Sequence, residues 1–399
     1  MKIEICKWYN NADAPVLFFI DDLANVWVDT NGNGKIDLGE DWGYAKDSEN
    51  SSFKYLNDMI LKEFPYVKTT FFVPVGVRVG MIENPKIKSI SKMINCDEET
   101  KKFFKSINDN PKYEIAYHGT THGKVGKTIF DFKQEWELFN STEEAIQQIN
   151  EGKEVYKDVF GCYPIGGKYC GYVSNKFSDK SIDSTEFLWW SRYWNRGVCE
   201  KCEDGISGGD SNSITNFDIK TFGKNSVIDI PSTINGGLFS GIFNTNLKSL
   251  KGILKIILRK YLIKRKSQQI EYLMQNNLVI SIQEHIAPSR DDGRRQTPNI
   301  FDDKESLYHI FRYLKDKNVW YCTGTELAEY YYLRNNILVE DIDDKSFRFI
   351  YTGNKNIMRK KLTIKLYETI DKIIQPDGKV VYNKNNYFNL DVIDGIYHI

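Results

Sequence analysis

Short apolar or aromatic runs recur along the chain, separated by helical stretches, and several of them finish on an acid or an imidazole. The runs are Pro15–Asp22, Lys68–Val75, Tyr113–His118, Gly166–Tyr172, Phe187–Trp194, Val227–Ser232, Leu278–His285 and Val319–Thr323. Buried strands alternating with helices read this way, so the pattern predicts an α/β fold built on a parallel sheet or barrel. Folds of this kind keep their chemistry at the C-terminal ends of the strands, which makes the run endings informative. Asp21 and Asp22 close Val16–Ile20, His118 closes Ile115–Tyr117, and His285 follows Val279–Ile282. The chain has only five histidines, and three of them fall at or just beyond such endings.

Between the runs, Ser51–Phe64 is expected to be helical and to stop before Pro65. Ser141 stands three residues before Glu144, a capping-box signature that opens a helix reaching Val159. A last helix is expected over Thr325–Asn335, with Thr325 as its N-cap. Beyond Ile337 the period changes to alternating segments at Lys345–Tyr351, Leu362–Tyr367 and Lys379–Asn383, broken by Thr352–Asn354 and Pro376–Gly378. That change predicts a small antiparallel β appendage over 337–399, after a main domain over 1–336.

Composition narrows the classes. The chain has 399 residues, 41% hydrophobic and 27% charged, which is the make-up of a folded protein and not of a disordered one. Its 54 basic residues balance 54 acidic ones, which argues against a nucleic-acid partner. No apolar run approaches the ~20 residues of a membrane span, and Met1–Asn11 has no signal-peptide stretch. Seven cysteines are an odd number scattered over a long chain, as a reducing compartment allows. These features lead us to expect a cytoplasmic protein. The oligomeric state stays open.

His118 and His122 are four residues apart, so one helical turn or a compact loop brings both imidazoles to one side, as two ligands of one metal require. Alone, the pair reads equally well as two satisfied polar residues, and adjacent aspartates are more often a turn than a site. The order of motifs is more specific. Phe19-Ile20-Asp21-Asp22-Leu23, then His118-Gly119-Thr120-Thr121-His122, then Ile282-Gln283-Glu284-His285 resembles the polysaccharide deacetylase family, the NodB homology domain of carbohydrate esterase family 4. The resemblance covers roughly residues 13 to 335, and Val319–Tyr330 is similar to the last strand and helix of these domains.

The resemblance implies a distorted (β/α) barrel and a metal-dependent hydrolase that removes an N-acetyl group from a carbohydrate, whose sugar and carrier it leaves open. It assigns Asp22, His118 and His122 to a divalent metal, zinc first, Asp21 to the catalytic base and His285 to the acid. It also implies an acid that orients the histidine, for which Asp229 is the candidate. In place of the family's Arg-x-Pro segment stands Gly166-Gly167-Lys168-Tyr169-Cys170, so Lys168 is expected to supply the cation of the substrate site beside Tyr169. Leu23 and Gly119 also depart from the family's usual residues. Trp190, in an aromatic run from Trp189 to Trp194, is a further candidate sugar platform, although an ordinary core strand explains such a run equally well.

A second metal signature spans Asp29 to Glu40 and fits the EF-hand loop formula at every specified position. Asp29, Asn31, Asn33, Lys35 through its carbonyl, Asp37 and Glu40 would ligate calcium, with Gly34 making the turn. Flanking helices are not expected. Cys199-Glu200-Lys201-Cys202 has zinc-like spacing but no second pair, which makes it a weak signal. Residues 247–266 hold eight basic residues and no acid, with Leu250, Leu254, Ile257, Tyr261 and Leu262 at helical spacing. That segment is expected to be either an outer barrel helix or a peripheral contact with an anionic membrane. Two other functions fit the same residues: a calcium-stabilised carbohydrate-binding protein without turnover, and a hydrolase of a non-sugar amide.

Overall fold

The structure is a computed structural model that describes residues 2–194, 214–245, 249–368 and 370–399. The Cys199–Cys202 pair lies outside the described residues, as do residues 247 and 248 of the basic segment. The centre is one ten-stranded sheet. Its strands are β1 (Ala14–Asp21), β2 (Thr69–Val73), β3 (Tyr113–Tyr117), β4 (Gly166–Lys168), β5 (Trp189–Ser191), β6 (Lys220–Phe222), β7 (Val227–Asp229), β8 (Ile234–Asn235), β9 (Ile280–His285) and β10 (Val319–Tyr321). They run in the order β6-β7-β5-β4-β3-β2-β1-β9-β8, and β10 also pairs with β1. All pairings are parallel except that of β6 with β7. The sheet curls into a half-barrel without closing, within the α/β class and distorted barrel type expected.

β1 explains much of this. All eight of its residues are buried, as a strand covered on both faces requires. Val16, Phe18 and Ile20 point to the outer face, where the Phe18 ring meets Phe311 edge-on at 5.3 Å. Leu17 and Phe19 point to the inner face, with Phe72 and Trp189. β1 is also long enough to pair with β2 through Phe18–Asp21 and with β10 through Ala14–Val16.

The helices are α1 (Ser52–Leu56), α2 (Glu98–Asn108), α3 (Thr142–Phe160), α4 (Ser178–Ser184), α5 (Ser240–Phe243), α6 (Leu250–Ile257), α7 (Arg259–Gln275), α8 (Lys304–Leu314) and α9 (Gly324–Asn335). Ser141 caps α3 as expected, its side chain accepting from the Glu144 amide. The expected helix after Ser51 is α1 followed by a π-helical turn over Asn57–Leu61. α9 starts one residue earlier than expected. Its N-cap is Thr323, which forms a capping box with Glu326, while the Thr325 hydroxyl serves Glu114 and Trp189. No described helix is long and apolar enough to cross a membrane.

The C-terminal segments form a five-stranded sheet and a three-stranded sheet. In the latter Ile3–Ile5 pairs with Lys361–Leu366, so the first strand of the chain lies against its C-terminal part.

Along β9 the pleat sends Ile280, Ile282 and Glu284 to the outer face and Ser281, Gln283 and His285 to the inner one. Glu284 is therefore fully buried, and neither carboxylate oxygen has a hydrogen-bond partner. Burial, reinforced by Asp303 and Asp302 nearby, holds its carboxyl well above the ordinary range. A raised carboxyl pKa gives the folded state an extra proton, so stability is full below the unfolded value of about 4.3 and declines as pH rises above it. Glu284→Gln keeps the shape and removes the ionisation. Its stability should match wild type near pH 4 and exceed it by about 1–3 kcal/mol at about pH 8. Urea midpoints at the two pH values check this; a difference that does not change with pH would show that Glu284 is not the titrating group.

Candidate active site

Strand register builds the centre of the site. β9 and β1 pair with His285 directly opposite Asp21, and His285 Nε2 lies 3.9 Å from Asp21 Oδ2. One residue past β3, the His118 amide donates to the Val73 carbonyl at 3.0 Å, which extends the pairing with β2 and fixes where His118 leaves the sheet. Lys168 ends β4 on the same inner face. Its ammonium has no exposed surface and donates to Asp21 Oδ2 at 2.5 Å and to Gln283 Oε1 at 2.6 Å.

Asp22 and His122 leave the regular backbone. Their φ angles are 65° and 69°, in the left-handed region that costs residues other than glycine about 1 kcal/mol or more. These turns swing the two side chains together, with His122 Nε2 3.1 Å and His118 Nε2 3.9 Å from Asp22 Oδ1. His118 Nδ1 is engaged with the Lys168 carbonyl at 3.0 Å, so it carries the proton and Nε2 presents a lone pair to the cluster. Cys170 donates its thiol to the His118 carbonyl at 3.1 Å. The ligand atoms of His118, His122 and Cys170 all lie within 4.8 Å of one another, which makes this a possible metal site.

Each acid has its own cation. Burial works against the charge on Asp21, but Lys168, helped by His118 and His285, outweighs it and holds the carboxyl below its ordinary value. Burial likewise opposes the charge on Asp22, and Arg78 with His122 and His118 holds that carboxyl well below the usual range. Arg78 reaches both Asp22 oxygens, at 3.3 and 3.1 Å, with its guanidinium 4.8 Å from the Trp42 ring centroid. Burial pushes His118 down to about 4 and lowers His285 too, so both imidazoles are neutral at pH 7. His285 Nδ1 donates to the Pro298 carbonyl at 2.7 Å, and the Gln296 amide reaches Nε2 at 2.8 Å.

The histidine loop is held from below by Glu135. This buried carboxylate accepts from the amides of Thr120 at 2.9 and 3.0 Å, Thr121 at 2.8 Å and His122 at 2.7 Å. The arrangement needs glycine at 119, whose φ is +89° and where a Cβ would stand 2.5 Å from Glu135 Oε2. Residues 75–83 line the same loop, through bonds from Val75 to Gly119, Gly76 to Thr120 and Val79 to Thr121. Asp291 then ties this segment to the loop that reaches His285, accepting from the Met81 amide at 2.9 and 3.0 Å.

The Asp29–Glu40 loop rises from a ribbon in which Val26–Asp29 pairs with Lys88–Ser91, so it has no flanking helices. Its acceptors are arranged around the turn. Asp29 accepts from the Asn33 and Gly34 amides at 3.1 and 3.0 Å, and Asn33 accepts from the Lys35 amide at 2.7 Å. Asn31 and Asn33 both donate to Asp37, and Glu40 accepts from the Thr30 and Asp37 amides. The loop leans on the His285 loop, where Ser289 donates to the Glu40 carbonyl at 3.2 Å.

The structure does not bring Asp229, Tyr169 or Trp190 to this cluster. Trp190 and Asp229 are register partners on the outer face of the sheet, where Trp190 joins Tyr117, Trp136 and Tyr169 in the core. Asp229 accepts from Arg192 there, and the Tyr169 hydroxyl donates to Asp179. Strand parity is the reason, since neighbouring residues face opposite ways and Lys168 takes the inner position. Lys168 is in the cluster but lies beneath Asp21. The sequence reading missed Arg78, Glu135, Gln283 and Gln296. Gln283 alone had a signal there, two residues before His285 and so on the same face of a strand.

No family model matches the chain, and no curated protein matches it. Solved structures do. A Mycobacterium smegmatis protein assigned as a polysaccharide deacetylase is 16% identical, with a TM-score of 0.44, over 83% of this chain and 94% of that one. A family 4 acetyl xylan esterase from Clostridium thermocellum, solved with a cobalt ion, is 13% identical with a TM-score of 0.34, over 79% and 90%. A peptidoglycan deacetylase from Bacillus subtilis is 11% identical with a TM-score of 0.34, over 79% and 90%.

Removing the Glu135 carboxylate strands three buried amides. Glu135→Ala should cost about 3 kcal/mol of stability and raise amide exchange at Thr120, Thr121 and His122 selectively. Denaturant titration and hydrogen exchange check this; unchanged protection of those three amides would show that the loop holds itself.

Proposed function

We propose that this protein is a metal-dependent hydrolase that removes an N-acetyl group from an amino sugar of a carbohydrate. The observation that carries the reading is the meeting of Asp22 Oδ1 with the Nε2 atoms of His118 and His122, at 3.9 Å or less, beside a second acid and a third imidazole. With Nδ1 of His118 committed to a carbonyl, its Nε2 lone pair faces a carboxylate oxygen in a buried site. Acceptors facing acceptors call for a cation between them, and one oxygen with two imidazole nitrogens suits zinc. Asp22, His118 and His122 would hold it. The Cys170 hydrogen is spent on a carbonyl, which makes its sulfur the weaker candidate.

A bound divalent ion supplies Lewis acidity toward an amide carbonyl and an attacking water. Asp21, kept charged by the lysine beneath it, takes the proton of that water. His285 is anchored through Nδ1, so its Nε2, 3.9 Å from Asp21 Oδ2, is the atom that would receive the water proton from Asp21 and pass it to the leaving amine. Water adds to the carbonyl carbon and the C–N bond breaks, giving acetate and a free amino sugar. Lys168 fills the place of the arginine that the family resemblance implies, as a positioning residue for Asp21. The choice of a carbohydrate over another amide rests on the order of the three motifs. For the Asp29–Glu40 loop the reading is calcium, because every specified position of the EF-hand formula is met. Calcium there would stiffen the support of the His285 loop.

Elemental analysis after dialysis should find one transition metal per chain in wild type and none in the double variant His118→Ala, His122→Ala. Calcium should stay in that variant and vanish, with a lower melting temperature, from Asp29→Ala, Glu40→Ala. Acetate release from N-acetylated oligosaccharides should fall about 10²–10⁴-fold in Asp21→Asn while metal content is unchanged. Metal bound without any acetate release, from sugars or from small amides, would leave a binding protein.

A further inference from the structure

α6 is amphipathic the wrong way round for a helix that belongs to a core. Leu250, Ile253, Leu254, Ile257 and Tyr261 fall at i, i+3, i+4, i+7 and i+11, the spacing of a single apolar stripe. An ordinary surface helix buries that stripe. Here the five side chains are 88%, 47%, 55%, 73% and 62% exposed, and Ile256 and Leu258 beside them are exposed too. What faces the protein is the polar flank. Lys255 donates to the Gly241 carbonyl at 2.6 Å, Arg259 lies over the Phe243 ring at 4.7 Å, and Gly252 is buried. Burial resumes in the first turn of α7, where Leu262 and Ile263 pack half-buried against the core, and Ser267, Ile270, Leu273 and Met274 beyond them are inside.

Charge narrows what can cover the stripe. Residues 249–266 carry Lys251, Lys255, Arg259, Lys260, Lys264, Arg265 and Lys266 and no acid. A second copy of the chain would set seven cations against seven. The complement of an apolar stripe rimmed with cations is a surface that is anionic outside and apolar beneath. We propose that α6 and the first turn of α7 dock the protein on an anionic lipid membrane, the stripe entering the acyl boundary and the lysines pairing with headgroup phosphates.

Topology gives the docked protein an orientation. Asn235 ends β8 beside Gln283 of β9, and the chain leaves for α5 and α6 from that end. α7 then returns to the start of β9. The apolar stripe thus lies at the end of the sheet where Asp21 and His285 stand.

Co-sedimentation of the whole protein with vesicles tests this. Wild type should pellet with phosphatidylcholine vesicles containing phosphatidylglycerol, stay in solution with phosphatidylcholine alone, and be released by added salt. Leu254→Asp and Ile257→Asp should each weaken the partition about tenfold or more with an unchanged thermal melt, because both side chains already face solvent. The triple variant Lys251→Ser, Lys260→Ser, Lys264→Ser should lose the preference for anionic vesicles and is a second route if an aspartate perturbs the fold. Equal pelleting of wild type and all variants, or none by wild type, overturns the proposal. So does a wild-type dimer in light scattering that Ile257→Asp converts to monomer, which would assign the stripe to a second copy.

Discussion

Two neighbouring carboxylates stand almost fully buried at the end of β1, and the architecture around them answers that electrostatic problem. Unpaired, Asp21 and Asp22 would repel each other in a medium that screens poorly and would give up their charge. Each is instead met by a cation from its own direction. Lys168 comes from beneath through β4, and Arg78 comes from the rim through the segment after β2. The two solutions differ in kind. The ammonium is locked between Asp21, Gln283 and the Tyr172 ring, 4.1 Å from its centroid, with no exposed surface. The guanidinium lies on Trp42 with a tenth of its side chain exposed. An aspartate held by a fixed buried cation rests in its charged form, free to accept a proton. An aspartate held by a rim arginine shares its oxygens with whatever else enters.

The rim is a sewn structure, and each seam has a physical reason. Backbone donors on the histidine loop have no strand partner, and Glu135 collects three of them. Backbone donors after β2 pair with carbonyls of the same histidine loop, and Asp291 joins that segment to the loop over His285. The Asp29–Glu40 turn braces the same loop through Ser289. Four loops from distant parts of the sequence thus satisfy one another's polar groups. Buried loop backbone demands such an exchange, and it holds the imidazoles between 3.1 and 3.9 Å from the acids.

This division also explains what could be read from the sequence. Strand endings were legible because a run such as Val16-Leu17-Phe18-Phe19-Ile20 announces both its burial and its end, and register then carries His285 opposite Asp21. The N-cap at Ser141 was legible for the same local reason. Parity within short strands was not. β4, β5 and β7 have three residues each, too few to display an alternation, and Asp229, Tyr169 and Trp190 turn out to face the helices instead of the site. Glu135 and Arg78 were invisible because their partners are backbone amides and an acid 56 residues away, and no local pattern encodes such pairs. The start of α9 shifted because Thr323 and Thr325 both suit a cap, and only the placement of Glu114 and Trp189 decides between them.

The basic segment shows a complementary limit. Its period was plain, yet period alone cannot say which side of a helix meets the protein. An apolar stripe left in water forgoes roughly 25 cal/mol for each Å² that burial would have removed, so a fold that turns it outward gives up stabilisation a half-turn rotation would have recovered. The contacts of Lys255 and Arg259 show how the outward orientation is held, since both polar groups satisfy partners on the α5 side that leucines could not. A helix held with its apolar face away from the core makes sense only if that face is buried somewhere else. Because the chain reaches α6 from the end of β8 beside Gln283, whatever buries it also sets how the acids and imidazoles at the mouth of the sheet are presented.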